Sequence, residues 1–457
     1  MSLQQFSRSV RISRPASEVF AWHLRAGALE RLMPPWERTE IVKHEGVHEG
    51  ARVVVKTKAG PFRPEWEVEH RDVIDGRQFR DVQIRGPFKR WEHTHRIEAE
   101  GSAECILTDE IVYELPGGAV GNLIAGGWVR KKLERLFSYR HEITKTDLEL
   151  KFQYGAVRRM TFLIAGASGL VGRALVPFLK SQGHEVVRLV RGESKRPDEI
   201  HWDPAAGVLD PAKLRGVDVV INLAGENVAG GRWTAARREV ILSSRVGTTR
   251  TLVSTIERMK HRPFMLVNAS AVGIYGSRGD ELVNEESMRG NGFLADVCKA
   301  WEKETAAAED LGLRAVALRT GVVLTPAGGA LGKMLPLFCA GLGGKMGSGR
   351  QWMSWITVDD LVGAIYHAVL DQRCAGPLNT TAPVSVPNAE FTKTLGNVLR
   401  RPTWLPVPAW VLKLLFGQMA DEALLGGVRA EPKRLDDSRY VFRHGKLDEA
   451  LRHVLGR

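Results

Sequence analysis

The sequence predicts an α/β protein: a doubly wound parallel sheet with a small C-terminal helical lobe, preceded by an α+β domain. Over residues 160–384, short apolar strand-like runs alternate with helical stretches, as they do in a doubly wound sheet. Residues 1–150 instead contain several strand-like segments in succession and then one long helical stretch. The composition changes over residues 145–159, so we expect a domain boundary there.

The first domain, residues 1–150, is predicted to be an antiparallel sheet closed by a C-terminal helix. Its strand-like segments are separated by turns that contain glycine or proline. From Val120 to about Thr146 the pattern becomes helical, and four apolar residues are predicted to lie near one face: Leu123, Val129, Leu133 and Leu136. We expect such a sheet, wrapped on a helix, to enclose an apolar cavity.

A pair of histidines, His93 and His95, lies on one predicted strand. Because they are two residues apart, they share a face of that strand. A metal site would need a third ligand, and the sequence does not place one. We therefore interpret the pair as part of a polar strand face and predict no metal site.

A glycine-rich segment, GASGLVG at 166–172, follows the apolar run that starts at Met160 and opens a helical stretch. Glycines allow a tight turn and let the backbone approach a pyrophosphate, while the helix N-terminus supplies unpaired N–H donors. The match alone is weak, but its strand–loop–helix context makes it specific. The sequence therefore predicts a dinucleotide-binding Rossmann half.

The second strand of this half is predicted to end at Val190 and Arg191, and Arg191 lies 19 positions after Gly172. An acid at about this distance would accept hydrogen bonds from the ribose of NAD, whereas an arginine suits the 2′-phosphate of NADP. The nearest acid, Glu193, comes two residues later. The sequence therefore favours NADP(H) over NAD(H).

Residues 160–457 resemble the extended short-chain dehydrogenase/reductase (SDR) superfamily, and more closely its atypical branch of nucleoside-diphosphate-sugar-epimerase-like proteins. Within this range, residues 385–457 resemble the small helical domain that is common in that branch. The segments that carry the resemblance are GASGLVG at 166–172, HWDPAAGVLD at 201–210, INLAGENV at 221–228, SSRVGTT at 243–249, SAVGIYG at 270–276, FLADVCKAWE at 293–302, LRTGVVL at 318–324 and GSGRQWMSWITVDDL at 347–361. The motifs and the resemblance together imply cofactor contacts at Gly166, Ser168, Gly169, Leu170, Val171, Gly172, Val190, Arg191, Asn222, Leu223, Ala224, Glu239, Arg245 and Val323.

Catalysis is where the sequence departs from that superfamily. The usual site uses Ser or Thr to hold a carbonyl, Tyr as acid/base, and a Lys four residues later that lowers the Tyr pKa. Ser270 falls at the matching strand end, but alignment on Glu302 puts Leu294 at the Tyr position and Cys298 at the Lys position. A shift of one residue also gives no tyrosine. Tyr275 is the nearest tyrosine that could substitute, and a ring packed at the strand end is the alternative.

A second group of residues matches the place where extended reductases bind another nucleotide or sugar. Aromatic faces and guanidinium groups suit a base or a phosphate, and loops pinned by buried indoles are the alternative. The residues are Arg232, Trp233, Arg350, Trp352 and Trp355.

Residues 1–150 resemble the helix-grip fold of the START-related (SRPBCC-type) ligand-binding superfamily. The order of the elements, the opening RISRPASEVFAWH at 11–23 and the long closing helix carry this resemblance. It implies a pocket for an apolar or aromatic ligand, and a simply packed core is the alternative.

The formal net charge of +12 is unevenly distributed: residues 1–150 carry 24 Lys+Arg and 23 Asp+Glu, whereas residues 151–457 carry 41 and 30. A solvated basic surface accounts for most of these charges. Because the second part has no dense Lys/Arg run and no aromatic RNA-binding motif, a phosphorylated small molecule explains the bias at least as well as nucleic acid, and we expect no nucleic-acid partner.

The remaining features indicate a soluble cytoplasmic protein. No apolar run reaches the roughly 18 to 20 residues of a membrane span, and the N-terminus lacks the apolar core of a signal peptide. The cysteines show no CxxC pairing, so neither a zinc site nor a disulfide framework is indicated. They are Cys105, Cys298, Cys339 and Cys374.

Two functions fit these observations. The first is an NADP(H)-binding oxidoreductase or epimerase-like enzyme that acts on an unknown small substrate, with nucleotide-linked molecules as candidates, and that holds an apolar ligand in its N-terminal pocket. The second is a non-catalytic protein that senses NADP(H) and binds a lipid or aromatic molecule. The missing Tyr–Lys pair favours the second function. The sequence does not predict the oligomeric state.

Overall fold

A computed structural model describes residues 3–37, 39–57, 63–155 and 157–457. The chain divides into two compact units, and the main boundary falls between Arg158 and Arg159. Each unit is built on a seven-stranded sheet.

The first unit is an antiparallel sheet with three helices. Its strands lie in the order β1-β7-β6-β5-β4-β3-β2, and every adjacent pair is antiparallel. The strands are β1 (Leu3–Ile12), β2 (Thr39–His44), β3 (Arg52–Thr57), β4 (Glu65–Ile74), β5 (Gln78–Arg85), β6 (Arg90–Glu100) and β7 (Glu104–Glu114). The helices are α1 (Ala16–Leu24), α2 (Ala28–Arg31) and α3 (Gly118–Gln153). This is the predicted helix-grip fold.

The long helix α3 supplies much of the first unit's core. Val129, Leu133 and Phe137 are buried and pack against apolar side chains of the sheet. The predicted position of Leu123 is wrong, because its side chain is 88% exposed. At 3.6 residues per turn, the six positions between Leu123 and Val129 place the two side chains about 120° apart around the helix.

The buried face of α3 can be checked with two matched substitutions. We expect Leu133→Ala to lower the free energy of unfolding by about 2–5 kcal/mol, because it removes a buried side chain that the neighbours cannot fully replace. We expect Leu123→Ala to change it by less than about 0.5 kcal/mol. Urea unfolding followed by circular dichroism measures both, and equal losses would contradict this face assignment.

The second unit has a fully parallel central sheet in the order β10-β9-β8-β11-β12-β14-β18. The main strands are β8 (Thr161–Ala165), β9 (Glu185–Val190), β10 (Glu199–His201), β11 (Val219–Asn222), β12 (Met265–Ala271), β14 (Arg314–Thr320) and β18 (Gly376–Thr380). The short strands are β13 (Leu282–Val283), β15 (Val322–Leu324), β16 (Trp352–Met353), β17 (Trp355–Thr357), β19 (Val386–Pro387) and β20 (Arg429–Ala430). The helices are α4 (Leu170–Ser181), α5 (Ala235–Glu257), α6 (Phe293–Ala306), α7 (Gly329–Cys339), α8 (Val358–Leu370), α9 (Asn388–Leu399), α10 (Ala409–Phe416), α11 (Lys433–Asp437) and α12 (Leu447–Leu455).

The order of this sheet confirms the predicted doubly wound Rossmann fold. The chain winds outward from β8 to β9 and β10, and then returns to the other side of β8 with β11. Ligands of doubly wound sheets bind beyond the carboxyl ends of the strands at such a reversal. The carboxyl ends of β8 and β11 therefore mark the expected cofactor position.

The C-terminal helices join the core of the second unit. Buried apolar residues of α9 and α12 form one cluster with Leu324 of β15 and Trp355 of β17. Among the described residues, no helix is both long enough and apolar enough to cross a membrane.

Candidate functional site

The glycine loop after β8 lies directly against the end of β11. Gly166 has a φ of +81°, and a Cβ atom there would lie 2.7 Å from the carbonyl carbon of Leu223 and 2.8 Å from the nitrogen of Ala224. At Gly172, a Cβ atom would collide with the backbone of Gly166 and Ala167. Only glycine fits both positions, so the loop can turn tightly against the end of β11 just before α4 begins.

Several predicted cofactor contacts come together around this loop. Leu170 opens α4, and its side chain lies beside Gly328 and Gly329, just beyond β15, which contains Val323. Ser168 and Gly169 form the exposed tip of the loop, and Val171 is half-buried. The glycine loop, the start of α4 and the segment after β15 therefore lie next to one another.

Buried amides hold the sheet edge under the loop. The side-chain nitrogen of Asn222 donates to Asn268 (2.7 Å), while its oxygen accepts from the backbone N–H of Ala224 (3.1 Å). Asn268 in turn donates to Thr305 (2.8 Å). Because both amides are fully buried and paired, the backbone at residues 222–224 is fixed in place.

Arg191 is exposed immediately after β9, as the sequence predicts. Glu226 lies within range of its charge and forms an ion pair with Arg237 (3.0 Å). The hydrogen bond from Arg237, with a further contribution from the charge of Arg191, lowers the pKa of the Glu226 carboxyl. Sequence reasoning missed Arg237, because nothing distinguishes it from the other arginines near the start of α5 except its position three residues after the cap Thr234.

Arg245 holds the loop that follows β11. Its guanidinium donates to the carbonyl oxygens of Ile241 (2.9 Å) and Glu226 (3.0 Å), and it lies 5.1 Å from the ring centre of Trp301. Its role in the free protein is therefore to position the loop. Glu239 lies on the exposed side of α5.

Ser270 and Tyr275 belong to one buried polar network. Glu302 accepts a hydrogen bond from Ser270 (2.9 Å) and a bidentate pair from Arg319 (2.8 and 2.9 Å). The Tyr275 hydroxyl accepts from Arg319 (2.9 Å) and donates to Asn379 (2.7 Å). Burial raises the pKa of Tyr275. Both candidate hydroxyls thus have protein partners. Sequence analysis did not single out Arg319, because its partner lies on another element.

The positions of the usual Tyr and Lys are occupied by apolar or neutral groups. Leu294 is half-buried in the first turn of α6 and packs beside Gly273. Cys298 is 3% exposed, and burial raises the pKa of its thiol to about 11. The neighbouring Lys299 lies toward the surface and pairs with Asp296 (3.2 Å). The lysine position is therefore filled by a neutral thiol, and the charge of Arg245 lies within range of it.

The C-terminal lobe caps this same helix. Glu422, in the π-helical turn Ala420–Leu424, accepts hydrogen bonds from the backbone N–H groups of Phe293 (3.1 Å) and Leu294 (2.9 Å). A carboxylate at this end also suits the helix dipole. The lobe therefore forms part of the wall beside the catalytic position.

The residues predicted for a second nucleotide divide into two groups. Trp233 and Trp355 are 7% and 1% exposed and belong to the core. Their indoles therefore pin the loops from inside, which was the alternative to binding a nucleotide. Trp352 is half-buried, and its indole N–H donates to a surface carboxylate at 2.7 Å. Arg232 and Arg350 are exposed. The exposed and half-buried members remain available to a substrate.

The first unit contains a cavity of about 680 Å³. Its wall is mainly apolar and aromatic, and Arg140 lines it with a guanidinium whose Nε donates to the backbone of Leu32. A cavity of this size suits a small organic ligand. Apolar members of the wall include Leu29, Met33, Val53, Trp66, Val68 and Trp91.

His93 and His95 share a polar strand face, as the sequence predicts. That face points inward, and the exposed fractions of the two residues are 2% and 7%. The sheet register places His70 opposite Asp81, Asp81 opposite His93, and His95 opposite Asp109. Sequence reasoning missed the partners because they come from three other strands.

This cluster carries strong electrostatic coupling. Burial would raise the pKa values of Asp81 and Asp109, but the surrounding imidazoles hold both well below the usual range. Burial would lower the pKa of His95, but the two carboxylates raise it to about 9. Burial and the charge of His95 lower the pKa of His23 to about 4.

Known families match both units of the chain. Residues 162–379 match the NAD dependent epimerase/dehydratase family, residues 407–454 match a domain of unknown function, and residues 12–138 match the polyketide cyclase/dehydrase and lipid transport family. An epimerase family protein of Mycobacterium bovis is 44% identical over 294 residues, which are 64% of this chain and 97% of that protein. The chain belongs to this epimerase family.

Solved structures of relatives agree with this assignment. A nucleoside-diphosphate sugar epimerase from Corynebacterium glutamicum is 33% identical with a TM-score of 0.81, over 99% of this chain and 90% of that one. A human epimerase family protein, crystallised with NADPH, is 34% identical with a TM-score of 0.59, over 65% of this chain and 99% of that one. The epimerase-family chain is thus an NAD(P)-binding atypical SDR protein fused to a helix-grip domain.

The state of Cys298 in this epimerase-family protein can be checked by alkylation. We expect iodoacetamide at pH 8 to modify the exposed Cys339 and to leave Cys298 unmodified, because a buried thiol with a pKa of about 11 is neutral and inaccessible. Mass spectrometry of peptides from the folded protein gives the extent at each site, with the urea-unfolded protein as control. Rapid modification of Cys298 in the folded protein would contradict this assignment and make Cys298 a candidate nucleophile.

Proposed function

We propose that this protein binds NADP(H) in preference to NAD(H), with Arg191 as the residue that recognises the 2′-phosphate. The observation that carries this proposal is the exposed guanidinium directly after β9, beside the cofactor position of a Rossmann sheet. A carboxylate at this point would instead pair with the ribose hydroxyls of NAD.

The surroundings of Arg191 support the same cofactor. Arg237 forms an ion pair with Glu226, whose carboxyl also interacts with the charge of Arg191, so this region contains a second guanidinium. A 2′-phosphate that bears two negative charges can pair with both arginines. It competes with the single carboxylate of Glu226, but two guanidinium groups are present to bind the two anions. The human relative crystallised with NADPH is consistent with this preference.

For the reaction, we propose NADP(H)-dependent oxidoreductase or epimerase-like chemistry on a small substrate, including nucleotide-linked molecules. Ser270 and Tyr275 lie at the carboxyl end of β12, where a carbonyl group would approach the nicotinamide. The exposed Arg232 and Arg350 and the half-buried Trp352 offer cations and an aromatic face for a phosphate and a base. The 33% identical nucleoside-diphosphate sugar epimerase supports the substrate class.

A second candidate function is non-catalytic: sensing of NADP(H) together with binding of a lipid or aromatic molecule in the N-terminal cavity. The observation that favours it is the chemistry at the usual catalytic positions, where Leu294 and a neutral Cys298 replace Tyr and Lys. In addition, partners within the protein occupy both candidate hydroxyls.

Cofactor preference can be tested by calorimetric titration of the full chain with NADPH and NADH. We expect tighter binding of NADPH, and we expect Arg191→Ala to weaken it by roughly 10-fold to 100-fold, because a charge-assisted hydrogen bond contributes about 1.5–3 kcal/mol. Binding of NADH should change little. Arg215→Ala is the matched control, because Arg215 is exposed and precedes β11, near the amino ends of the strands and not the carboxyl ends. Equal affinities for both cofactors, unchanged by Arg191→Ala, would contradict the proposal.

Turnover can be tested by incubation of the NADPH-loaded protein with nucleotide sugars and small carbonyl compounds. If Tyr275 supplies a proton, Tyr275→Phe should lower kcat by roughly 10²–10⁴-fold without a change in NADPH affinity. Cys339→Ser is the control, because this exposed thiol lies on α7 away from the network. Unchanged kcat in Tyr275→Phe would exclude Tyr275 as the acid, and the absence of turnover with tight NADPH binding would support the sensing function.

A further inference from the structure

We propose that the buried histidine–aspartate cluster of the first unit binds a divalent transition-metal ion, with Asp81, His93 and His95 as its ligands. The three side chains come from adjacent strands, β5 and β6, and all three line the cavity. This inference concerns the first unit alone and does not depend on the cofactor proposed for the second.

The donor atoms of the three residues are already close to the spacing that an ion needs. Oδ2 of Asp81 lies 3.2 Å from Nε2 of His95 and 3.5 Å from Nδ1 of His93. One donor atom from each residue lies within 4.8 Å of the other two. Donors around a tetrahedral zinc ion lie roughly 3.3 Å apart, because each is about 2.0–2.1 Å from the metal. Binding therefore requires side-chain shifts and no change of the fold.

The second ring nitrogen of each histidine faces a carboxylate, as is usual for metal-bound histidines. Nε2 of His93 and Nδ1 of His95 lie 2.7 and 2.8 Å from the same oxygen of Asp109. The other oxygen of Asp109 accepts from Nε2 of His141. A carboxylate behind each imidazole fixes the tautomer and directs the free nitrogen at the ion. Asp109 and His141 are therefore positioning residues.

A buried imidazole beside Asp81 supplies independent support. His70 is 4% exposed, and its Nε2 has no hydrogen-bond partner among the described residues. Its Nδ1 lies 2.7 Å from Oδ1 of Asp81, at ion-pair distance. Buried polar groups are rarely left unsatisfied. Because His70 also lines the cavity, its Nε2 is available to a ligand bound beside the ion.

The donor set selects the class of metal. Imidazole nitrogens with one carboxylate suit Zn²⁺, Fe²⁺ and Co²⁺, whereas Mg²⁺ and Ca²⁺ prefer oxygen ligands alone. Three protein ligands leave at least one coordination position open. Because the ligands line the cavity, that position faces it, and the matching ligand is an apolar molecule with one carbonyl, carboxylate or hydroxyl oxygen.

The test uses the full chain, stripped with a chelator, dialysed, and titrated with Zn²⁺ and separately with Co²⁺. We expect one equivalent to bind, and the visible absorption of bound Co²⁺ to report nitrogen and oxygen ligands. His93→Gln and His95→Gln should each weaken binding at least tenfold, and Asp109→Asn should weaken it by roughly 10-fold to 100-fold. His48→Gln is the matched control, since His48 is an exposed histidine of the same unit.

Circular dichroism and NADPH titration of each variant show whether both units remain folded. Failure of folded wild-type protein to bind either ion would overturn the proposal and leave the cluster as an ion-pair network. Binding that persists unchanged in folded His93→Gln and His95→Gln would also overturn it, because the ion would then lie elsewhere. Failure of the NADP(H) proposal for the second unit would not change the interpretation of the metal titration, because the two proposals rest on different units.

Discussion

The buried ion pair between Glu302 and Arg319 is the interaction on which the rest of the nucleotide-binding unit depends. Both side chains are almost fully buried, and neither charge could remain there without the other. The pair joins α6 to β14, and its spare hydrogen bonds extend to Ser270 and Tyr275. The carboxyl edge of the sheet is therefore fixed by charge pairing, one helical turn from Cys298 at the usual lysine position.

This arrangement explains how the protein can keep the glycine loop of a Rossmann fold and yet lack the usual catalytic pair. The glycine loop is shaped by close approach of backbone to backbone, at Gly166 and Gly172, and needs no catalytic side chain nearby. The loop and the network around Glu302 are thus built from different parts of the carboxyl edge. A substitution in the network therefore need not disturb the loop.

The sequence predicts those features that depend on neighbours along the chain. The glycine loop, the end of β9 at Val190 and the doubly wound order all follow from local pattern, and the structure has them. Partners from distant segments could not be predicted. Arg319 meets Glu302 only because β14 lies beside α6, and Asp81 meets His93 only through the register of two strands. Leu123 shows the remaining limit, because a pattern with several apolar positions does not specify which of them meets the sheet.

The cap that Glu422 places on α6 has a consequence for how this protein can change over evolutionary time. Two amide donors of that helix are satisfied by a residue from the C-terminal lobe. A sheet that exchanged its lobe for an unrelated one would expose these donors and open the wall beside Leu294. The lobe and the sheet are therefore expected to be inherited as one piece, whereas the helix-grip unit, with a hydrophobic core of its own, can be gained or lost separately.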